Sequence, residues 1–180
     1  MKYEKRFEFY EKLYFNEREL REKIEGRYRT PLTLFAVLFA FIGFMAKELF
    51  SENALSFGYG VWLPFTLSVL SFLLAAFHLS RSLYGYHYQL MPTPDVLEQY
   101  REEIKAKYRK IDPQYAIEWT NGAFEDYLFT MYIEYTTQNT KNNDTKSLNL
   151  SRCVRSLIAT FLLVGLAYVP YFYQIYIKGP

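Results

Sequence analysis

The sequence predicts an all-α fold: a helical integral membrane protein with three transmembrane helices and a cytoplasmic helical bundle, assembled as an oligomer. Three observations point there. Hydrophobic residues make up 51% of the 180 residues and aromatics 20%, yet charged residues still reach 22%. These types are segregated along the chain, which separates apolar spans from polar helices. Three runs of about twenty residues are nearly free of charge, long enough to cross a hydrocarbon core, and the Lys and Arg outside them are unevenly distributed.

Residues 1–30 read as a cytoplasmic N-terminal amphipathic helix over 3–29. Its charges pair at i, i+4 (Glu8 with Lys12, Glu17 with Arg21, Glu19 with Lys23, Glu25 with Arg29). Tyr3, Phe7, Tyr10 and Tyr14 make an aromatic packing stripe. The segment lacks the early apolar core and small-residue cleavage site of a secretory signal. Residues 31–84 read as a transmembrane hairpin. Its first span, Pro31–Phe50, is capped by Thr30, with Pro31 at the first helical position, where a missing N–H is harmless. Its second span is Gly58–Ser80. Residues 85–152 form a cytoplasmic helical region. One helix there starts at Thr93–Pro94–Asp95 and ends near Asp112–Pro113, with Val96, Leu97, Tyr100, Ile104, Tyr108 and Ile111 as its apolar face.

The next helix carries Phe124, Leu128, Met131 and Tyr135 on one side. No Gly or Pro falls between Gly122 and Gly165, so a single helix can run from this wet segment into the third span, residues 153–180, apolar from Ser156 to Ile177. It reads as a rigid connector. The alternative for 138–148, rich in Asn, Thr and Lys, is a flexible, partly disordered segment.

Two stripes are the candidate functional residues. In the second span Ser68, Ser71, Ala75, His78 and Ser82 follow one another at steps of 3 and 4, continued by Pro64 and Gly85. Such a stripe serves close helix packing or, facing an oligomer axis, lines a pore; His78 then stands near the cytoplasmic boundary as a hydrogen-bonding or gating group. Ser156, Thr160 and Ala167 are the third span's counterparts. In the wet half of the connector, Asn139, Asn143, Lys146, Asn149 and Arg155, with Asn142, form a polar regulatory or oligomer stripe, and Asn in such a seam specifies register.

Composition also excludes. A net charge of +2 is too small to argue for nucleic acid, and the lone Cys153 rules out an internal disulfide. There is no Gly-rich phosphate loop, no Cys or His metal spacing and no Ser–His–Asp set; His78 and His87 are the only histidines. The expectation is a protein that is not an enzyme, with no catalytic residues, no metal and no cofactor.

The block Asn139-x3-Asn143-Asp144-x-Lys146-Ser147-x2-Leu150-x4-Arg155, running directly into a final span, resembles a pattern in small bacterial multi-pass effectors of anti-phage defence. These are two-to-four-span helical proteins paired with a nucleotidyltransferase or a reverse transcriptase, a loose group that includes the SLATT-type domains. The resemblance implies an abortive-infection effector of the inner membrane. Its cytoplasmic part would sense a nucleotide or nucleic-acid signal, or a soluble sensor, and its spans would breach the membrane in an ion-channel-like manner. The competing reading is a non-conducting membrane anchor or scaffold for a soluble partner. Besides membrane lipid, the expected partner is a second copy, with a tetramer favoured, because three helices in one protomer do not enclose a water path.

Nine Lys and Arg precede the first span (Lys2, Lys5, Arg6, Lys12, Arg18, Arg21, Lys23, Arg27, Arg29), the loop after it offers Lys47, the 81–155 segment is again rich, and the tail has Lys178. The positive-inside rule places the N-terminus and the 85–152 region in the cytoplasm and the C-terminus in the periplasm. A reporter fused after Pro180 should therefore read as periplasmic and one inserted near Asn121 as cytoplasmic. Both reporters on one side would remove the three-span topology.

Overall fold

In the computed structural model, residues 3–50 and 57–174 are described. They form α1 (Tyr3–Gly26), α2 (Arg29–Leu49), α3 (Tyr59–Leu83), α4 (Pro94–Ile111) and α5 (Ala116–Phe172), with no strand among the described residues. Three helical stretches, those ending at Leu49, spanning Tyr59–Leu83 and ending at Phe172, are long and apolar enough to cross a membrane. Residues 51–56 of the first span's loop, and the predicted end of the third span at Ile177, lie outside the described residues.

Local chemistry explains the boundaries. The N-terminal helix stops at Gly26, three residues earlier than the charge pattern predicts. A tight turn follows, with the Arg27 and Tyr28 amides donating to Ile24 O (3.0 Å) and Glu25 O (3.3 Å). Thr30 is not the cap of α2. Tyr28 holds that place at φ −68, ψ −22, without a side-chain cap bond. The tight turn keeps the backbone near helical values, so the next helix starts at once; Pro31 still falls in the first turn, whose N–H groups have no helical partner. At the other end of the hairpin, Gly85 has φ +91, a conformation that strains any residue with a Cβ. Thr93–Pro94 opens α4, and Asp112, before Pro113, closes it in an extended conformation. The uninterrupted α5 includes residues 138–148, so that segment is helical and not disordered.

The chain packs as two compact units, one of Met1–Glu22 with Tyr86–Asp144 and the other of Lys23–Gly85 with Thr145–Pro180. The sequence reading divides the chain into four consecutive segments, whereas contacts group it across sequence.

In the first unit the aromatic stripe of α1 packs on α5. Tyr3 and Tyr10 lie against Phe129 (both 5.5 Å between centroids), and Phe7 and Tyr14 against Tyr132 (5.5 and 5.7 Å). Tyr3 and Tyr132 also donate to the carboxylates of Asp126 (3.0 Å) and Glu11 (3.4 Å). Partial burial, with Asp126 beside it, pushes the Tyr3 phenol up to about 12, and burial with Glu11 nearby raises Tyr132. α4 covers another side of α5 through Tyr100 on Tyr127 (4.2 Å) and Tyr108 on Trp119 (5.7 Å). Because α5 is covered by α1 as well as α4, its buried residues here are Ala116, Thr120, Tyr132, Thr136, Asn139, Asn142 and Asn143. The predicted apolar side, Phe124, Leu128, Met131 and Tyr135, is only half-buried.

The second unit is a three-helix bundle. One apolar cluster joins Ile24, Tyr28 and Leu38 to Phe72, Ala75 and Leu79 and to Leu150, Cys153 and Leu157. Another joins Met45, Leu49 and Phe57 to Val61 and Phe65 and to Ala167 and Tyr171. Along both clusters α2 and α5 run together while α3 returns. The buried face of α3 is Val61, Phe65, Ser68, Phe72, Ala75, Leu79 and Ser82, a repeat of 4 and 3 in which small and large residues alternate. The bundle is inverted relative to a water-soluble one: Thr160 and Ala167 are fully buried while Phe161, Leu166 and Val169 are about two-thirds exposed (65, 63 and 68%). Outward-facing large apolar side chains need lipid to cover them, and close approach inside needs small ones.

This inversion is testable by a paired substitution. Ala75→Leu should overpack the interior, costing about 1–3 kcal/mol, and lower the thermal midpoint of the detergent-solubilised protein. Leu74→Ala, on the neighbouring half-exposed position, should leave the midpoint nearly unchanged. The reverse ranking would refute the packing.

Candidate functional site

The first unit's polar stripe works as a clamp. Between Gly85 and Pro94 the chain has no regular structure, so its backbone N–H and C=O groups must find partners elsewhere. The amide of Asn139 supplies two at once: its Oδ1 accepts the Gln89 N–H (3.0 Å) and its Nδ2 donates to Gln89 O (3.0 Å). Asn142 Nδ2 donates to His87 O (2.8 Å), and Asn143 accepts the Tyr88 hydroxyl (2.7 Å). Asn143 Nδ2 donates in turn to Glu17 O (2.9 Å) and its carboxylate (2.8 Å), while the Tyr14 hydroxyl accepts the Met91 N–H (3.0 Å). Arg21 lies over the Tyr88 ring at 4.4 Å. Asn139 and Asn143 are each only 1% exposed, and their hydrogen bonds are those that buried amides require.

In the second unit a polar seam runs between the helices. Ser82 Oγ donates to Lys146 O (2.9 Å), and the Tyr28 hydroxyl donates to Ser82, within 2.8 Å of its carbonyl and 2.7 Å of its Oγ. Lys146 Nζ, nearly buried, ion-pairs with Glu25 at 3.6 Å. Farther along, Ser156 O accepts both the Ser71 hydroxyl of α3 and the Thr160 hydroxyl one turn on (both 2.9 Å). Ser68 donates to Phe65 O in its own helix (2.6 Å), and Asn149 to Thr145 O (3.0 Å). Each named hydroxyl thus meets a carbonyl oxygen, which satisfies it in an apolar surround.

The predicted residues therefore divide as follows. Ser68, Ala75 and Ser82 are fully buried inside the protomer, Ser71 is half-buried and bonded across to α5, and His78 is half-buried with its Nδ1 unpartnered. Ser156, Thr160 and Ala167 are buried opposite them. Of the second stripe, Asn139 and Asn143 join the clamp, and Lys146 and Asn149 the seam. Arg155 belongs to neither: it is exposed, because six residues past Asn149 lies on the far side of a helix of 3.6 residues per turn. Sequence reasoning gave Tyr14 to a packing stripe and Glu17 and Glu25 to pairs within the predicted N-terminal helix, not to the site, and it missed Tyr28 and the Tyr86–Met91 strap. The available signal was the continuation of the 4 and 3 spacing from Tyr14 through Glu17, Arg21 and Ile24 to Tyr28. Among the described residues no group of His, Cys, Asp or Glu is gathered to hold a metal ion.

Asn139→Leu keeps the branched outline of the side chain but takes away the partner of two strap groups, a loss of about 0.5–1.5 kcal/mol for each hydrogen bond. Amide exchange and protease cleavage within 86–93 should rise sharply, while Asn121→Leu should leave the strap protected. A strap equally protected in both variants would show that the clamp does not hold it. No family model, curated protein or solved structure matches this chain.

Proposed function

We propose that the protein is an oligomeric effector of the bacterial inner membrane that acts in anti-phage defence and permeabilises the membrane when its cytoplasmic helical part is triggered. The observation that carries this reading is the uneven interior of the three-helix bundle. Hydroxyls and a lysine (Ser71, Ser82, Lys146, Ser156, Thr160) thread between the apolar side chains of its first half, whereas Met45, Leu49, Val61, Phe65 and Ala167 fill the second. A polar track ending in an apolar plug has the character of a closed conduit, because an apolar constriction holds back water and ions by dewetting. The side chains of the track lie inside one protomer, so opening means that α3 and α5 separate, and a homo-oligomer, a tetramer in the simplest case, supplies the new neighbours. The role in anti-phage defence, the bacterial inner membrane and the trigger, a nucleotidyltransferase or reverse transcriptase partner or a nucleotide or nucleic-acid ligand, come to this reading from the resemblance alone.

A second reading, a non-conducting anchor or scaffold for a soluble partner, is favoured by one observation. The seam's hydroxyls are already satisfied on carbonyl oxygens, as in helix packing without any conduit.

Met45→Gln separates the two. It conserves shape in the plug and admits water, so a conducting effector should depolarise expressing cells without its trigger; Met45→Leu should not. Membrane potential reported by a dye is read beside protein abundance and oligomer mass. Met45→Gln at wild-type abundance with an undisturbed potential, or a monodisperse monomer in mild detergent, would leave the anchor.

A further inference from the structure

The second unit holds two arginines at an unusual height. Two hydrogen bonds set the level of α5 against α3: Ser82 Oγ to Lys146 O at one end, and Ser71 Oγ to Ser156 O farther in. Ten residues of α5 separate these levels, about 15 Å. Arg155 is adjacent to the inner level and Arg152 one turn short of it. At that height α3 presents Ser71 and Phe72, well inside a run free of charge from Gly58 to Ser80, and α2 contributes Leu38 to the same cluster.

Both arginines are exposed, and Arg155 stands on the outward face of α5 in line with exposed Leu148, Leu162, Leu166 and Val169. A guanidinium on a lipid-facing surface is not left without a counter-charge. Its Nη2 reaches back one turn to Ser151 Oγ (3.4 Å), toward the Lys146 end, as a snorkelling side chain does.

The described residues of this unit offer no carboxylate at this depth. Among the described residues of this unit, the acidic side chains are Glu25, which pairs with Lys146, and Glu48, near Tyr171. Copies related by an axis along the membrane normal repeat the same residues at the same depth, so self-assembly supplies no acid there either. We propose that Arg152 and Arg155 form a docking surface for the headgroup phosphates of anionic phospholipids, drawn into the leaflet beside α5. Apolar flanks from Leu148 to Leu166 would receive the acyl chains.

This inference rests on the membrane-spanning bundle and not on conduction, and its test reads lipid, not membrane potential. The full chain in mild detergent is offered equal phosphatidylglycerol and phosphatidylcholine, and retained lipids are identified by mass spectrometry. Wild type should prefer phosphatidylglycerol. Each arginine removed should lower that preference about fivefold, equivalent to about 1 kcal/mol, in Arg152→Leu, Arg155→Leu and the uncharged, polar Arg155→Gln, while Arg155→Lys keeps most of it. Leu at these outward positions meets lipid, and helix content should stay that of wild type. Equal preference in wild type and the double Leu variant would overturn the proposal. So would displacement of the lipid by inorganic phosphate at matched concentration, which would mark a soluble-anion site, or a change in complex mass without change in lipid, which would mark a protein partner.

Discussion

Along α5 the buried side chains recur at alternating steps of four and three, from Tyr132 and Thr136 through Asn139, Asn143, Lys146, Leu150, Cys153, Leu157, Thr160, Val164 and Ala167 to Tyr171. A spacing of 3.5 on a helix of 3.6 residues per turn keeps one face covered only if the neighbours coil around it with a left-handed twist. The same spacing recurs on the buried face of α3. The chemistry of the face changes from phenol to amide to ammonium to aliphatic and hydroxyl, but the geometry does not. Each change is matched by what covers it: rings over Tyr132, a strap over the asparagines, the Glu25 carboxylate beside Lys146, small and apolar side chains beyond.

The strap shows why asparagine is used there. An irregular segment lying on a helix brings peptide groups that no ladder or helix pairs, and an apolar helix face would offer them no partner. Asn139 answers one residue's N–H and C=O together, a match that its donor and acceptor allow and that Leu or Ser could not reproduce. Within the other unit the demand is reversed. Helices already satisfy their own backbones, so serine and threonine can lend their hydroxyls to carbonyls of the same helix or the next, and their small size brings the helices close.

These arrangements bear on function through what they leave to move. A seam of short side chains holds by contact and by single hydrogen bonds, whereas the apolar plug at Met45, Leu49, Val61 and Phe65 holds by excluding water. An effector reading draws on both, and an anchor reading needs only the first. The outward-facing arginines add a proposed lipid contact that fits either protein, since it depends on the depth of α5 and not on what passes through it.

Much of the architecture was legible in the residues themselves. Three runs nearly free of charge mark the apolar helices, Thr93–Pro94 and Asp112–Pro113 bracket α4, and the absence of Gly and Pro between Gly122 and Gly165 permits one helix through the change from wet to apolar. Periodicity also tells which residues share a face, which is why Ser68, Ser71, Ala75 and Ser82 stand out as a set. It does not say what lies opposite. That Ser82 meets Lys146 O, that Asn139 reads the backbone of Gln89 and that Arg155 turns outward at the height of Ser71 depend on the register of helices packed far apart in sequence. Hydrophobic patterning selects a face to within a few tens of degrees, whereas a hydrogen bond needs partners placed to a few tenths of an ångström, and only the folded packing of the helices supplies that.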